Sequence, residues 1–236
     1  MAVAVQAFVL FKLSIFRGRN MPSPAAITDA DIQEFKSRQA RLGLAADQFN
    51  HTDTINTSDF NGELVISPDP SISQIEPIFV PFNSMKELKA LIGNPDSVFS
   101  EDGMSDRFIE YPTAPPPDRI SLLAKAKDGC DFDWQASPEE FHGAYKAAES
   151  YLTGDSRKLA AWEPMLNARF GVGRLAVFAA KDVTIHKGEK FVVKPDPNNP
   201  LAPVKLNFHS VTVEEGGQFV IEAKVDMSTL TFTVND

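Results

Sequence analysis

From Leu175 to Val234 the chain alternates apolar and polar residues at period two. The runs are Leu175, Val177 and Ala179; Val183 and Ile185; Phe191 and Val193; Val204, Leu206 and Phe208; Phe219, Ile221 and Ala223; and Leu230, Phe232 and Val234. Successive side chains of a strand point to opposite faces, so this alternation marks strands with one buried face. It predicts an all-β domain over residues 171–236, entered through Gly171 and Gly173.

The earlier part follows helical spacing. Thr28 and Asp31 form a capping-box pattern before Ile32, Phe35, Gln39 and Leu42, which share one helical face and stop at Gly43. Ser84 with Glu87 repeats the pattern ahead of Gly93. Ser137, Pro138 and Glu140 set an N-cap, a first-turn proline and a capping acid before Phe141, Ala144, Tyr145, Ala148, Tyr151 and Leu152. Asp155 then caps a run through Leu159, Trp162 and Leu166, in which Pro164 kinks or restarts the helix. These signals predict helices near 29–42, 85–92, 138–153 and 156–169 within a helical, loop-rich region 28–170. The proline-bearing stretches from Ser67 and from Tyr111 read as extended loops or edge strands, because proline removes a backbone donor.

Within the β region the text VTIHKGEKFVV of residues 183–193 returns as VTVEEGGQFVI at 211–221, a spacing of 28 residues. Apolar positions keep their character, while His186 and Lys187 become Glu214 and Glu215. Gly188 and Gly216 mark the sharp turn in each copy, where positive φ costs glycine nothing. Constant inside and free outside is how stacked parallel coils behave. The fold class is therefore α+β, with a short β-solenoid favoured for the C-terminal domain and a β-sandwich or jelly roll as the alternative.

Composition changes the picture in two ways. A chain of 236 residues with 43% hydrophobic content can bury a sizeable core. The formal net charge is -9, and residues 1–28 hold Lys12, Arg17 and Arg19 without an acid, so the remainder stands three charges lower at -12. An acidic body lacks the clustered cations that release counterions from phosphates, which argues against a nucleic-acid partner and disfavours an anionic membrane. Residues 1–27 read as a flexible extension or an over-long start. The apolar run there is broken by Gln6 and Lys12, its charges follow it, and it is short for a bilayer span, so neither a Sec signal nor a transmembrane segment is expected. A cytoplasmic or non-classically secreted location follows. The single cysteine, Cys130, precludes an internal disulfide.

Candidate chemistry is sparse. The four histidines His51, His142, His186 and His209 stand apart, without metal-ligand spacing, and His186 and His209 read as exposed strand residues. TSDFNGE resembles the opening of a calcium loop but has Thr57 at position one and Pro68 at position twelve. No phosphate loop, complete dinucleotide fingerprint or nucleophile elbow occurs, so no cofactor, metal or catalytic residue is assigned. Asn50 and Asn56 open glycosylation sequons. Asp128, Asp131 and Asp133 gather around Cys130 beside Trp134.

These absences favour a non-catalytic recognition or assembly protein that uses a rigid β platform to bind a glycan or protein surface. Trp134 and Tyr111 are its candidate stacking surfaces, and Asp131 and Asp133 its polar contacts. A carbohydrate-active enzyme built on Asp131 and Asp133 is the alternative, since glycoside cleavage uses paired carboxyls. A membrane-active, toxin-like protein inserting its apolar N-terminus is the third reading.

Overall fold

The structure, a computed structural model, describes residues 28–50, 53–99, 103–125, 137–199 and 202–235. The chain is mixed α+β, with five α-helices and a mostly parallel set of strands among the described residues. It divides into two compact units: one runs to Val80 and resumes at Leu175, and the other is Pro81–Arg174.

In the first unit, α1 (Asp29–Arg41) precedes β1 (Thr54–Asn56), a 3-10 turn (Thr57–Phe60), β2 (Glu63–Ile66) and β3 (Ile78–Phe82). The later strands are β4 (Gly173–Ile185), β5 (Lys190–Val193), β6 (Val204–Val213), β7 (Gln218–Ile221), β8 (Val225–Ser228) and β9 (Thr231–Val234). One sheet has the order β1-β4-β6-β8, with β3 also on β4 and β9 also on β6; the second has the order β2-β5-β7. Parallel neighbours need a long return between them. Here the return from β4 to β6 is β5, and the return from β6 to β8 is β7, each lying in the other sheet.

Register follows from that path. The paired residues of β4 and β6 are offset by 28, from Ala176 opposite Val204 to Ile185 opposite Val213. Like residues therefore stack: Ile55 on Val183 on Val211 on Phe232, and Leu64 on Phe191 on Phe219. With Ile66, Val193, Phe178, Leu206 and Phe208 the inner members form one buried cluster, against which the partly buried Phe219 and Phe232 pack. The Phe191 ring meets Phe219 at 5.1 Å and Phe208 at 6.1 Å between centroids. Each such side chain, fully buried, contributes about 1.5–3 kcal/mol, so the stacked apolar columns dominate the stability of this unit.

Three turns join the larger sheet to the smaller one, and each passes through the left-handed region. Gly188 has φ 75 and Gly216 φ 73; in the turn after β1, Asn61 has φ 55 and Gly62 φ 84. The β2–β5 register, Leu64 opposite Phe191, sets Asn61 in the slot of Gly188. Asparagine is the non-glycine residue that best tolerates that conformation.

The second unit holds α2 (Met85–Ile92), α3 (Pro117–Ala124), α4 (Pro138–Thr153) and α5 (Glu163–Phe170). Ser137 and Glu140 close a full capping box on α4. At its other end the buried Lys89 ammonium donates to the carbonyls of Tyr151 at 2.7 Å and Gly154 at 2.6 Å, and Asn94 Nδ2 donates to Thr153 at 2.6 Å. Those carbonyls are the ones a helix leaves unpaired. Trp162, 2% exposed, donates its indole N–H to the Pro112 carbonyl at 3.0 Å.

Four features depart from the sequence reading. The division at residue 171 gives way to one in which Thr54–Asn56 and Glu63–Ile66 belong with the later strands. They pair in parallel with β4 and β5 across the intervening Pro81–Arg174, at offsets of 128 for Thr54 and Asp182 and 127 for Leu64 and Phe191. On β4 the core takes Ala176, Phe178 and Ala180; Leu175, Val177 and Ala179 are buried on the opposite face. The segment after Asp155 opens as a 3-10 stretch, Ser156–Trp162, in place of a helix, and the helix restarts with Pro164 in the first turn of α5, one of the two outcomes expected for that proline. Gly173 is a point of close approach and not a hinge by composition: a Cβ there would come within 2.8 Å of the Phe82 ring.

Gly188 has open space around its Cα, with nothing within 4 Å of an added Cβ, so conformation alone sets the cost of substitution. Gly188→Val is expected to lower unfolding free energy by about 1–2 kcal/mol, and Gly188→Asn by clearly less, as read by urea denaturation.

Candidate functional site

Of the residues singled out by sequence, Trp134, Asp131 and Asp133 lie outside the described residues, as do Asp128, Cys130 and His51. Tyr111 is described, and it is held as a strut. Its hydroxyl donates to Asp106 Oδ2 at 2.6 Å and accepts from the Asp155 amide at 2.8 Å, while Lys158 Nζ lies 4.9 Å from the ring centre. Burial, reinforced by the Asp106 carboxylate, pushes its phenol up to about 12. The hydroxyl is thus spent inside the helical unit.

Beside Tyr111 the helical unit has a shallow groove of about 360 Å³ lined by Glu110, Pro112, Pro138, Glu139, His142, Gly143 and Lys146. Small-molecule sites span roughly 300–1,000 Å³ and are usually apolar with a few convergent polar groups. This groove has scattered charges instead: Lys146 lies 3.5 Å from Glu110, a carboxylate that is 77% exposed. Its Pro138 and Glu139 belong to the first turn of α4, which Ser137 and Glu140 cap. Arg119 reaches Glu140 through two donors, at 2.6 and 2.8 Å, and this holds the Glu140 carboxyl down at about 2.

In the β unit, a polar layer sits between α1 and the outer face of the larger sheet. Asn207 of β6 accepts from Arg38 Nε at 3.1 Å and donates to Gln39 Oε1 at 2.8 Å; Gln39 in turn donates to the Gln48 carbonyl at 3.0 Å. Lys205 Nζ pairs with Asp226 and donates to Ser228 Oγ at 2.7 Å. His209 meets Phe35 edge to face at 5.7 Å and is 5% exposed, a correction to its reading as an exposed strand residue. Arg38 Nη2 and His209 Nδ1 are buried without a hydrogen-bond partner among the described residues. Burial lowers the Arg38 pKa. The layer is hidden from the sequence because Lys205, Asn207 and His209 sit on the polar phase of β6, a phase that alternation assigns to solvent.

The glycine turns carry a second set, partly or fully exposed apart from the buried Thr57. His186 Nδ1 lies 3.2 Å from Glu214 Oε1, Lys187 Nζ lies 2.8 Å from Glu215, and Thr57 donates to Glu189 at 2.5 Å while accepting from the His186 amide at 3.0 Å. The register thus brings His186 to Glu214 and not to His209. Asn50 is occupied too. Its Nδ2 donates to the carbonyls of Glu76 and Val177, both at 2.8 Å, and its Oδ1 accepts from Ala179 at 2.7 Å.

Among the described residues no group of three or more His, Cys, Asp or Glu could hold a metal ion, and no helix is long and apolar enough to cross a membrane.

Lys205 and Asp226 side chains are 6% and 9% exposed, so removing one partner strands a buried charge. Lys205→Met is expected to cost about 3–5 kcal/mol by urea denaturation, with most of it returned in the Lys205→Met, Asp226→Leu double variant. For Glu140 the sign is that of a depressed carboxyl. The stabilisation is present above its unfolded value and fades as pH falls towards about 2. The stability gap between the native chain and Arg119→Gln should therefore narrow progressively below about pH 5 in acid-titrated denaturation. No family model, curated protein or solved structure matches the chain.

Proposed function

We propose that this chain is a non-catalytic recognition or assembly protein whose β unit is a short β-solenoid serving as a rigid platform. The observation that carries this reading is the parallel pairing of residue n with residue n+28 along β4 and β6. Sandwiches and jelly rolls are built from antiparallel strands, whereas β4–β6, β5–β7 and β6–β8 are parallel. The stack keeps its interior and changes its exterior, which is the economy of a scaffold that presents surface residues.

Between the two ligand classes the site geometry favours a protein surface. A glycan platform needs free aromatic faces, and the Tyr111 side chain is engaged on both its hydroxyl and its ring. The carbohydrate-active and membrane-active alternatives rest on Asp131, Asp133 and the first residues of the chain, all outside the described set, and gain no support from it.

The test is native electrophoresis of the full chain through gels containing neutral and acidic polysaccharides, with the same mixtures assayed for new reducing ends. Unchanged mobility and no cleavage is the expected result for a protein-binding platform. Retardation alone would transfer the reading to glycan recognition, and new reducing ends would overturn its non-catalytic character.

A further inference from the structure

The two ends of the strand stack are finished differently. In a parallel ladder one residue sends its N–H and C=O to one neighbouring strand and the next residue sends both to the other side. On β2, Gly62 and Ile66 accept from Lys190 and Lys194, so Val65 faces away from β5. Both of its groups are taken: Gln74 Oε1 accepts from the Val65 amide at 2.6 Å, and the Gln74 amide donates to the Val65 carbonyl at 2.9 Å. Ile75, 2% exposed, closes the core above it. At β2 this end is sealed by the chain's own loop.

At the opposite end the same alternation applies. Gln218 and Glu222 donate to Glu189 and Val193, so Phe219 and Ile221 of β7 turn their peptide groups outward. Asn235 donates to Val213, so Phe232 and Val234 of β9 do likewise. No partner for these four peptide groups occurs among the described residues. Their side chains continue the apolar columns: Phe219, Ile221 and Phe232 pack against the core while remaining partly exposed, and Val234 is 47% exposed. Phe219 and Phe232 approach across this end at 6.3 Å.

Edge strands that must stay unpaired usually carry lysine, proline or a bulge. QFVI and TFTV carry no charge and no proline. A single extended peptide would satisfy β7 or β9 but not both. An edge of the same spacing, turned over by a twofold axis, satisfies both at once and lays each strand antiparallel to its mate.

We propose that the β7–β9 end is a self-association surface, occupied by the β7–β9 end of a second copy of this chain. The inference rests on the assembly reading above and names its partner. Two four-residue strands about 13 Å long on sheets about 10 Å apart cover only a few hundred Å² per copy, below the roughly 800 Å² per partner of a stable complex. The dimer is therefore weak and concentration-dependent, with dissociation in the micromolar range or above, roughly.

Sedimentation equilibrium of the full chain from about 1 µM to about 500 µM brackets that range. The expected result is a monomer passing to twice the mass, with slowed amide exchange at Phe219, Ile221, Phe232 and Val234 appearing only as the dimer forms. Val234→Pro removes an outward donor without touching the bonds to β6, and should abolish the dimer while retaining the thermal transition. Val234→Lys serves the same purpose should the proline disturb folding. A monomer at every concentration overturns the proposal, as does slow exchange at these amides in a monomer, which would show that another part of the same chain holds the edge. A dimer indifferent to both variants overturns the surface but leaves an assembly function standing. The polysaccharide experiment is independent of all these outcomes, so the two readings can fail separately.

Discussion

A parallel strand pair cannot be closed by a tight turn, and in this molecule each return between parallel neighbours runs through a strand of another sheet. That constraint ties register to chain length: a path of constant length brings residue n to residue n+28. Stacked positions must then agree in size and polarity, and the buried columns of Ile, Leu, Val and Phe are the result. The left-handed turn positions follow from the same path, because each circuit must bend at the same place. Where the path is shortened the sequence shows it. Val204 pairs with Val225, an offset of 21, because the return after β7 lacks the proline-bearing excursion that follows β5.

The helical unit Pro81–Arg174 obeys a different logic. Its stability depends on helix ends as much as on helix faces. Ser137 and Glu140 satisfy one end of α4, and Lys89 and Asn94 satisfy the other. Lys89 is nearly fully buried yet well solvated by protein, since two carbonyls and Asp96 take the place of water. Glu140 serves twice, closing the capping box and gripping Arg119, which is why its carboxyl stays ionised far into acid.

Two polar populations in the β unit bear on what the molecule does. The layer beneath α1 is buried and mostly internally satisfied, so it fastens the helix to the sheet and specifies its register. The pairs along the glycine turns are exposed, and screened surface pairs contribute little to stability. Between the two copies their identity changes, His186 and Lys187 giving way to Glu214 and Glu215. This separation between an interior pattern that recurs between the two copies and an exterior that changes is what supports the proposed reading of the β unit as a platform.

Local rules alone determined a good part of this. Period-two alternation marked the strands from β4 onward, and cap residues such as Ser137, Glu140 and Asp155 marked helix starts, because both depend on residues only a few positions apart. The 28-residue recurrence marked the stacking distance, and applied to Val204, Leu206 and Phe208 it also yields the inward set Ala176, Phe178 and Ala180 that alternation by itself assigned to the wrong phase. Alternation cannot distinguish the two faces of a strand buried on both sides. The strand pair at Thr54 and Glu63 lay hidden because a whole unit separates it from its neighbours, and no local pattern measures contact across such a distance. Which polar residues are buried was likewise decided by tertiary structure. Asn207 and His209 look like solvent-facing strand positions until α1 covers them, since burial is a property of what packs against a residue and not of the residue.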